Sequence, residues 1–261
     1  LDGVEITHEE FYTRLAECDE LPKTSQPSPD TFMKVFNEAV AAGDDVLGIF
    51  ISSDLSGTYQ SACLAALDVE EETRKKLYMV DSRSASIGTA LLIREAVKLR
   101  DAGVNVSDIA AACTEMSKYI KLTAVVGSLK YLKMGGRLSG AAAFAGTMLH
   151  ITPVVSIEDG KVVVIGKTRG KKAAEKLMHD KLIKDGLSLT RDFMFGHINC
   201  SESLETFINK SLTYISDVNG NVGVSSIGCS VGTHVGPGTY GIAYVEAAES
   251  GMNRESIVKT A

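Results

Sequence analysis

The sequence predicts an α/β protein of two domains, a parallel α/β domain followed by a mixed or antiparallel α/β domain. Three observations carry this. Over the first half, short apolar runs alternate with helical stretches: Val46 to Ile51 precedes an Ala-rich segment from Thr58, and Leu77 to Val80 precedes Ala85 to Arg100. That succession implies parallel strands joined by crossovers. In the second half, Thr152 to Ile157 and Lys161 to Gly166 flank Glu158-Asp159-Gly160, a hairpin signal. The 261 residues suit one large domain or two small ones. The division is expected near residue 150, giving domains 1–150 and 151–261.

Each element has a local reason. Glu9 to Leu15 reads as a helix of weak period. Leu21 to Pro29 is a loop dense in Pro and hydroxyls. Ser28 then Pro29 starts a helix, Gly43 stops it, and Phe32, Val35, Phe36, Ala39 and Val40 share one face. Val46 to Ile51 reads as a strand buried on both faces. The turn Ser52-Ser53-Asp54-Leu55-Ser56-Gly57-Thr58 hands it to a helix. Free N–H groups at such a helix start, with the positive end of its dipole, suit an anion. The hydroxyls of Ser53, Ser56 and Thr58 add donors, while no Lys follows the Gly as a P-loop requires. Ser56 also has the plainer reading of an N-cap, and the sequence leaves both open.

Leu77 to Val80 is a strand ending in Asp81-Ser82-Arg83-Ser84, and Gly103 follows the helix Ala85 to Arg100. Ser107 is expected to cap a further helix, and Leu122 to Val126 is a strand. In parallel sheets, ligands bind outside the C-terminal strand ends, where the turns after Ile51 and Val80 lie. Met134 to Gly140 is a Gly-rich loop that leads into an Ala-rich stretch to Leu149. Gly170 to Lys184 reads as a basic helix, Phe193 to Ile198 as a strand, and Ser201 to Tyr214 as a helix capped by Ser201. Val222 to Ser230 alternates and reads as a strand running into the polar loop Thr233 to Gly238, and Tyr240 to Val245 is the final strand.

Composition removes several function classes. A net charge of −6 argues against a nucleic-acid groove. No apolar run approaches the roughly eighteen residues that span a bilayer. The opening LDGVEITHEE is acidic and lacks the apolar core of a signal peptide. The five cysteines are widely spaced with no CxxC, so reduced thiols in a cytoplasmic protein are expected. Histidines and cysteines show no metal-ligand spacing, so no metal site is expected. Gly236-Pro-Gly238-Thr-Tyr-Gly241 fits GxGxxG but has no room for a βαβ unit after it.

Five stretches, taken in order, carry a family resemblance. They are Thr24-Ser25-Gln26-Pro27-Ser28, then Ile51 to Ala62 (ISSDLSGTYQSA), Asp81-Ser82, Gly135-Gly136-Arg137-Leu138-Ser139, and Thr233-His234-Val235-Gly236-Pro237-Gly238. Together they resemble the DegV family over nearly the whole chain. The resemblance implies a DegV-like two-domain fold holding a long-chain fatty acid, such as palmitate or oleate, in a buried tunnel between the domains. It also implies a carrier and not an enzyme, with no other cofactor. Its partner would be an ATP-using fatty acid kinase subunit that phosphorylates the presented carboxylate. Thr24 and Ser56 are implied carboxylate ligands, Arg137 and His234 further head-group residues, and Ser25 and Gly57 weaker candidates. Family members open with a strand and an Asp-Ser turn. This sequence starts past that point, near Leu1-Asp2-Gly3, so either the sequence is truncated or the first strand is missing.

Two other classes stay open. One is a serine hydrolase with Ser56 as nucleophile and His234 as base, although no GxSxG elbow is present. The other is a phosphate- or nucleotide-binding enzyme using the same Gly-rich loops.

Overall fold

The computed structural model describes residues 2–138, 151–186, 191–213, 215 and 220–247. Ser139, the Ala-rich stretch to Leu149 and Tyr214 lie outside the described residues. The first part runs α1 (His8–Glu17), α2 (Pro29–Ala42), β1 (Leu47–Phe50), α3 (Thr58–Thr73), β2 (Tyr78–Asp81), α4 (Ile87–Asp101) and α5 (Val106–Met116). Then come β3 (Ile120–Val125), α6 (Lys130–Met134), β4 (Thr152–Glu158), β5 (Lys161–Thr168) and α7 (Lys171–Asp185). The chain continues with β6 (Phe193–His197), α8 (Ser201–Leu212), β7 (Val222–Ser226), α9 (Cys229–Val235) and β8 (Tyr240–Val245).

Among the described residues two sheets result, and the fold is mixed α/β as expected. β1 and β2 pair in parallel across the α3 crossover. The other six strands form one mixed sheet in the order β5-β4-β3-β8-β6-β7. The expected hairpin is present: Glu158 pairs with Lys161 across Asp159-Gly160, both at positive φ (48° and 81°). That is the backbone a two-residue primed turn requires.

The six-stranded sheet has two different faces. Val125, Val154, Phe193, Phe195, Tyr240, Ile242 and Tyr244 point to one side and pack with Met178 and Leu182 of α7 and Phe207 of α8. Strand alternation sends Ile120, Met194, Ala243 and Val245 to the other side, against Leu91 and Leu92 of α4 and Cys113 of α5. Leu122, Ala124, Val155, Ile157, Gly196 and Gly241 share that second side and face an open space.

Several local expectations need correction. β3 does not extend a parallel sheet. It pairs antiparallel with both β4 and β8, although it precedes residue 150. All four residues of β1 are half-buried and not fully buried: Leu47 and Ile49 pack against one core and Phe50 against another. Val35 of α2 is 56% exposed, so only part of the expected stripe is core. Asn105, not Ser107, caps α5, accepting the Asp108 N–H at 3.0 Å, and Ser107 Oγ donates to the same oxygen. α8 begins at Ser201, with Cys200 at its N-cap. Cys229 to Val235, expected as strand end and loop, is the helix α9. Its first N–H is capped by the Asp2 carboxylate at 2.7 Å, a partner 227 positions away that a local reading cannot see.

Candidate functional site

The open space is a cavity of about 640 Å³. Its floor is the second face of the six-stranded sheet. Ile87, Ala90 and Ile93 of α4 and Leu55 close it on one side, and Val231 and Val235 of α9 on another. Most of this lining is apolar. Across its centre, Ala124, Gly241 and Gly196 stand in register on β3, β8 and β6. A side chain at Gly196 would meet Ile87 Cγ2 at 2.8 Å, so its bareness lets α4 lie close to the sheet.

The candidate polar residues come from three loops and one short helix. Thr24, Ser25, Ser56, Arg137 and His234 all line the cavity. Five of the six candidates are therefore brought to one place from positions spread along the chain. The sixth, Gly57, stands one layer back as the N-cap of α3. A side chain there would meet the Gln26 amide at 3.1 Å, so its bareness lets the loop 24–27 lie down on α3. Ser56 is not the cap; its Oγ accepts the Thr58 N–H at 3.3 Å and lies 2.8 Å from Thr58 Oγ1.

Thr24 Oγ1 lies 2.7 Å from His234 Nε2. His234 Nδ1 is buried with no hydrogen-bond partner among the described residues. Burial pushes the pKa of His234 below 6.5, and the neighbouring Arg137 guanidinium adds to the same shift. Its ring fits because Gly135 has no side chain: a Cβ there would sit 2.2 Å from His234 Nδ1. Gly136, at φ 69°, then turns the chain. Arg137 Nη1 donates to Gly135 O at 2.7 Å and Nε to Leu55 O at 3.3 Å. Among the described residues no carboxylate pairs with Arg137. A half-buried guanidinium with no carboxylate partner among the described residues, lining a mostly apolar cavity, is suited to an anionic head group.

The loops are held by their own network. Asp81, at the end of β2, accepts the N–H of Ser53 at 3.2 Å and of Arg83 at 2.8 Å, which ties the turns after β1 and β2 together. Ser52 Oγ donates to Gly160 O at 2.8 Å and fastens the tip of the β4–β5 hairpin over those turns.

Sequence reasoning missed other cavity residues: Gln26, Ser86, Thr89, Ser230 and Thr239. Ser86 is the most telling, since it begins α4 at φ 48°, a conformation costly for a residue with a side chain. Glycines interrupting β6 and β8 were the available signal for the floor.

Fold and site define a mixed α/β protein with a mostly apolar cavity lined also by hydroxyls, an imidazole and an arginine. The chain belongs to the DegV family: the family model described as "Uncharacterised protein, DegV family" matches residues 1–247. A DegV domain-containing protein of Clostridium acetobutylicum is 36% identical over 250 residues, covering 92% of this chain and 84% of the relative. Among solved structures, a fatty-acid-binding DegV family protein from Thermus thermophilus is 31% identical with a TM-score of 0.82, covering 94% of this chain and 86% of that one. A fatty-acid (stearic acid)-binding protein from Eubacterium ventriosum is 27% identical with a TM-score of 0.79, covering 94% and 85%. Among the described residues no helix is long and apolar enough to cross a membrane.

Proposed function

We propose that this chain binds a long-chain fatty acid, with its acyl chain in the cavity and its carboxylate at Thr24, Ser56, Arg137 and His234, Ser25 flanking the head group. The observation that carries the reading is Arg137: a cation without a carboxylate partner among the described residues, lining a cavity that is otherwise mostly apolar. Solved relatives that bind fatty acids support it. The lining joins the six-stranded sheet to the loops and helices that follow β1 and β2.

The energetics favour the same division of labour. At about 0.8 kcal/mol per methylene, roughly fourteen methylenes contribute about 11 kcal/mol gross, before the costs of association. The polar end adds orientation, and it spares the buried carboxylate a penalty of several kcal/mol. Native mass spectrometry of the protein purified from cells tests the reading: a bound long-chain fatty acid is the expected mass, and a nucleotide in its place overturns it.

On this reading the chain is a cytoplasmic carrier. It presents the carboxylate to a separate ATP-using kinase subunit and has no catalytic residue of its own. The geometry supports a carrier over a serine hydrolase, since His234 Nε2 meets Thr24 while Ser56 Oγ meets Thr58. Ser56→Ala should slow phosphorylation of the bound lipid by the kinase more than it weakens lipid binding; an unchanged transfer rate removes Ser56 from the head-group site. A fluorophosphonate probe should leave Ser56 unlabelled.

A further inference from the structure

Outside the residues that line the cavity, the segment before α1 folds back onto the start of α9. There Asp2, His8 and Cys229 bring a carboxylate oxygen, an imidazole nitrogen and a sulfur within 4.8 Å of one another. Among the described residues no second group of three His, Cys, Asp or Glu side chains converges this way. His8 Nε2 is 3.1 Å from Asp2 Oδ1. Asp2 Oδ2 accepts the Cys229 N–H at 2.7 Å. His8 Nδ1 is 3.2 Å from Ser226 Oγ.

Helix capping accounts for the bond from Asp2 to the Cys229 N–H. It does not call for an imidazole and a thiol gathered at the same carboxylate. The 3.1 Å separation is close to the edge of a tetrahedron whose nitrogen and oxygen corners stand about 2.0–2.1 Å from a zinc ion. Metal-bound imidazoles hold their second nitrogen in a hydrogen bond, and Ser226 Oγ offers that to His8 Nδ1. The Asp2 and His8 side chains are 38% and 36% exposed, whereas Cys229 is 7% exposed, so an ion would enter from solvent and meet the sulfur at the back.

We propose that Asp2 Oδ1, His8 Nε2 and Cys229 Sγ form a binding site for a zinc-class divalent cation, with the fourth position open to solvent. Imidazole and thiolate together select against Ca²⁺ and Mg²⁺, which prefer all-oxygen shells. Binding displaces the thiol proton and any proton held between imidazole and carboxylate. It pins α9, the helix that carries His234, to the segment leading into α1. Spacing rules missed the site because its ligands lie at opposite ends of the chain.

The test is a Zn²⁺ titration of the purified chain, with Co²⁺ as a spectroscopic substitute. One equivalent of metal should bind, and bound Co²⁺ should show a thiolate charge-transfer band that Cys229→Ser abolishes. His8→Gln, at a half-exposed side chain, should weaken Zn²⁺ binding at least about tenfold, because losing an outer-shell partner alone costs that much. Circular dichroism of the metal-free His8→Gln protein should match the parent. No charge-transfer band in the parent protein overturns the proposal, as does Zn²⁺ affinity unchanged in His8→Gln. That second variant decides the matter even if Cys229→Ser does not fold.

Discussion

Thr24 and His234 stand 210 positions apart in the chain, yet Thr24 Oγ1 lies 2.7 Å from His234 Nε2. The bond joins the loop before α2 to the helix before β8, and it sits beside Arg137 on the cavity wall. Burial and the Arg137 charge both disfavour protonation of that imidazole. A carboxylate placed there would meet a neutral, already hydrogen-bonded histidine and a permanent arginine charge.

Three histidines share that depression, and it sets a pH dependence. Burial lowers the pKa of His179, His197 and His234 below the ordinary 6.5. Between the depressed and the ordinary value the unfolded chain binds more protons than the folded one, so lowering the pH through that window favours unfolding. The buried acids act further down. Burial alone would raise Glu95 and Asp192, but bonds to Lys98, Arg191 and Arg94 outweigh it and hold both low, so they stay ionised near neutrality. The thermal midpoint should thus be steady above about pH 6.5 and fall as the pH drops below it, before carboxylates titrate near pH 4. A midpoint constant from pH 7 to pH 5 would contradict this.

Arg137 should separate fatty acids from fatty alcohols of equal length. A hydrogen bond to a charged group contributes about 1.5–3 kcal/mol, so Arg137→Ala should weaken fatty-acid binding about ten- to a hundredfold. The alcohol presents no charge and should bind both proteins alike. Fluorescence titrations with each ligand read the difference. Equal losses for both ligands would mean that Arg137 shapes the loop and does not hold the carboxylate.

Much of the fold was legible because its signals are local. Ser28-Pro29 starts α2, Gly43 ends it at φ 87°, and Glu158-Asp159-Gly160 turns the β4–β5 hairpin. What was hidden depends on partners far along the chain. β3 reads as another strand of a parallel series, and only its neighbours β4 and β8 make it antiparallel. α9 is short, and its cap comes from Asp2. The site divided in the same way. Thr24, Ser56, Arg137 and His234, which line the cavity, were pointed to by the family resemblance of their polar or Gly-rich stretches and not by those stretches alone, whereas Ile157 and Ala124 look alike whether they face a packed core or a cavity. An apolar pattern records burial and not whether the space beside it is filled.

The hairpin tip offers a comparison of buried and exposed bonds. Ser52, 1% exposed, donates to Gly160 O, while the nearby Arg83–Asp159 pair is 41% and 95% exposed at its side chains. Ser52→Ala leaves a buried carbonyl without its donor and should cost about 1–3 kcal/mol. Asp159→Ala removes only a solvated ion pair and should cost well under about 1 kcal/mol. Denaturant unfolding of the two variants checks the ranking. The reverse order would show that the charges, and not the hydroxyl, fasten the hairpin over the β1 and β2 turns.

The row Ala124, Gly241 and Gly196 should set how long a chain the cavity accepts. Gly241 is a poor place to test this, because a side chain there would meet Thr123 O at 2.2 Å and strain the sheet itself. Ala124 is buried among Val155 and Ile157 and also lines the cavity, so Ala124→Leu adds bulk on the side where space is open. Filling a void does not carry the strain of overpacking, so the thermal midpoint of the lipid-free protein should not fall. Each methylene driven out of the cavity forfeits about 0.8 kcal/mol, close to a fourfold loss of affinity. Binding measured across a series of saturated acids should therefore lose affinity in the longest members and spare the shortest. The Arg137→Ala penalty should be the same in either background, since the head group is untouched. Uniform weakening across the series would place the acyl chain elsewhere, and the cavity floor would then have no part in selecting the ligand.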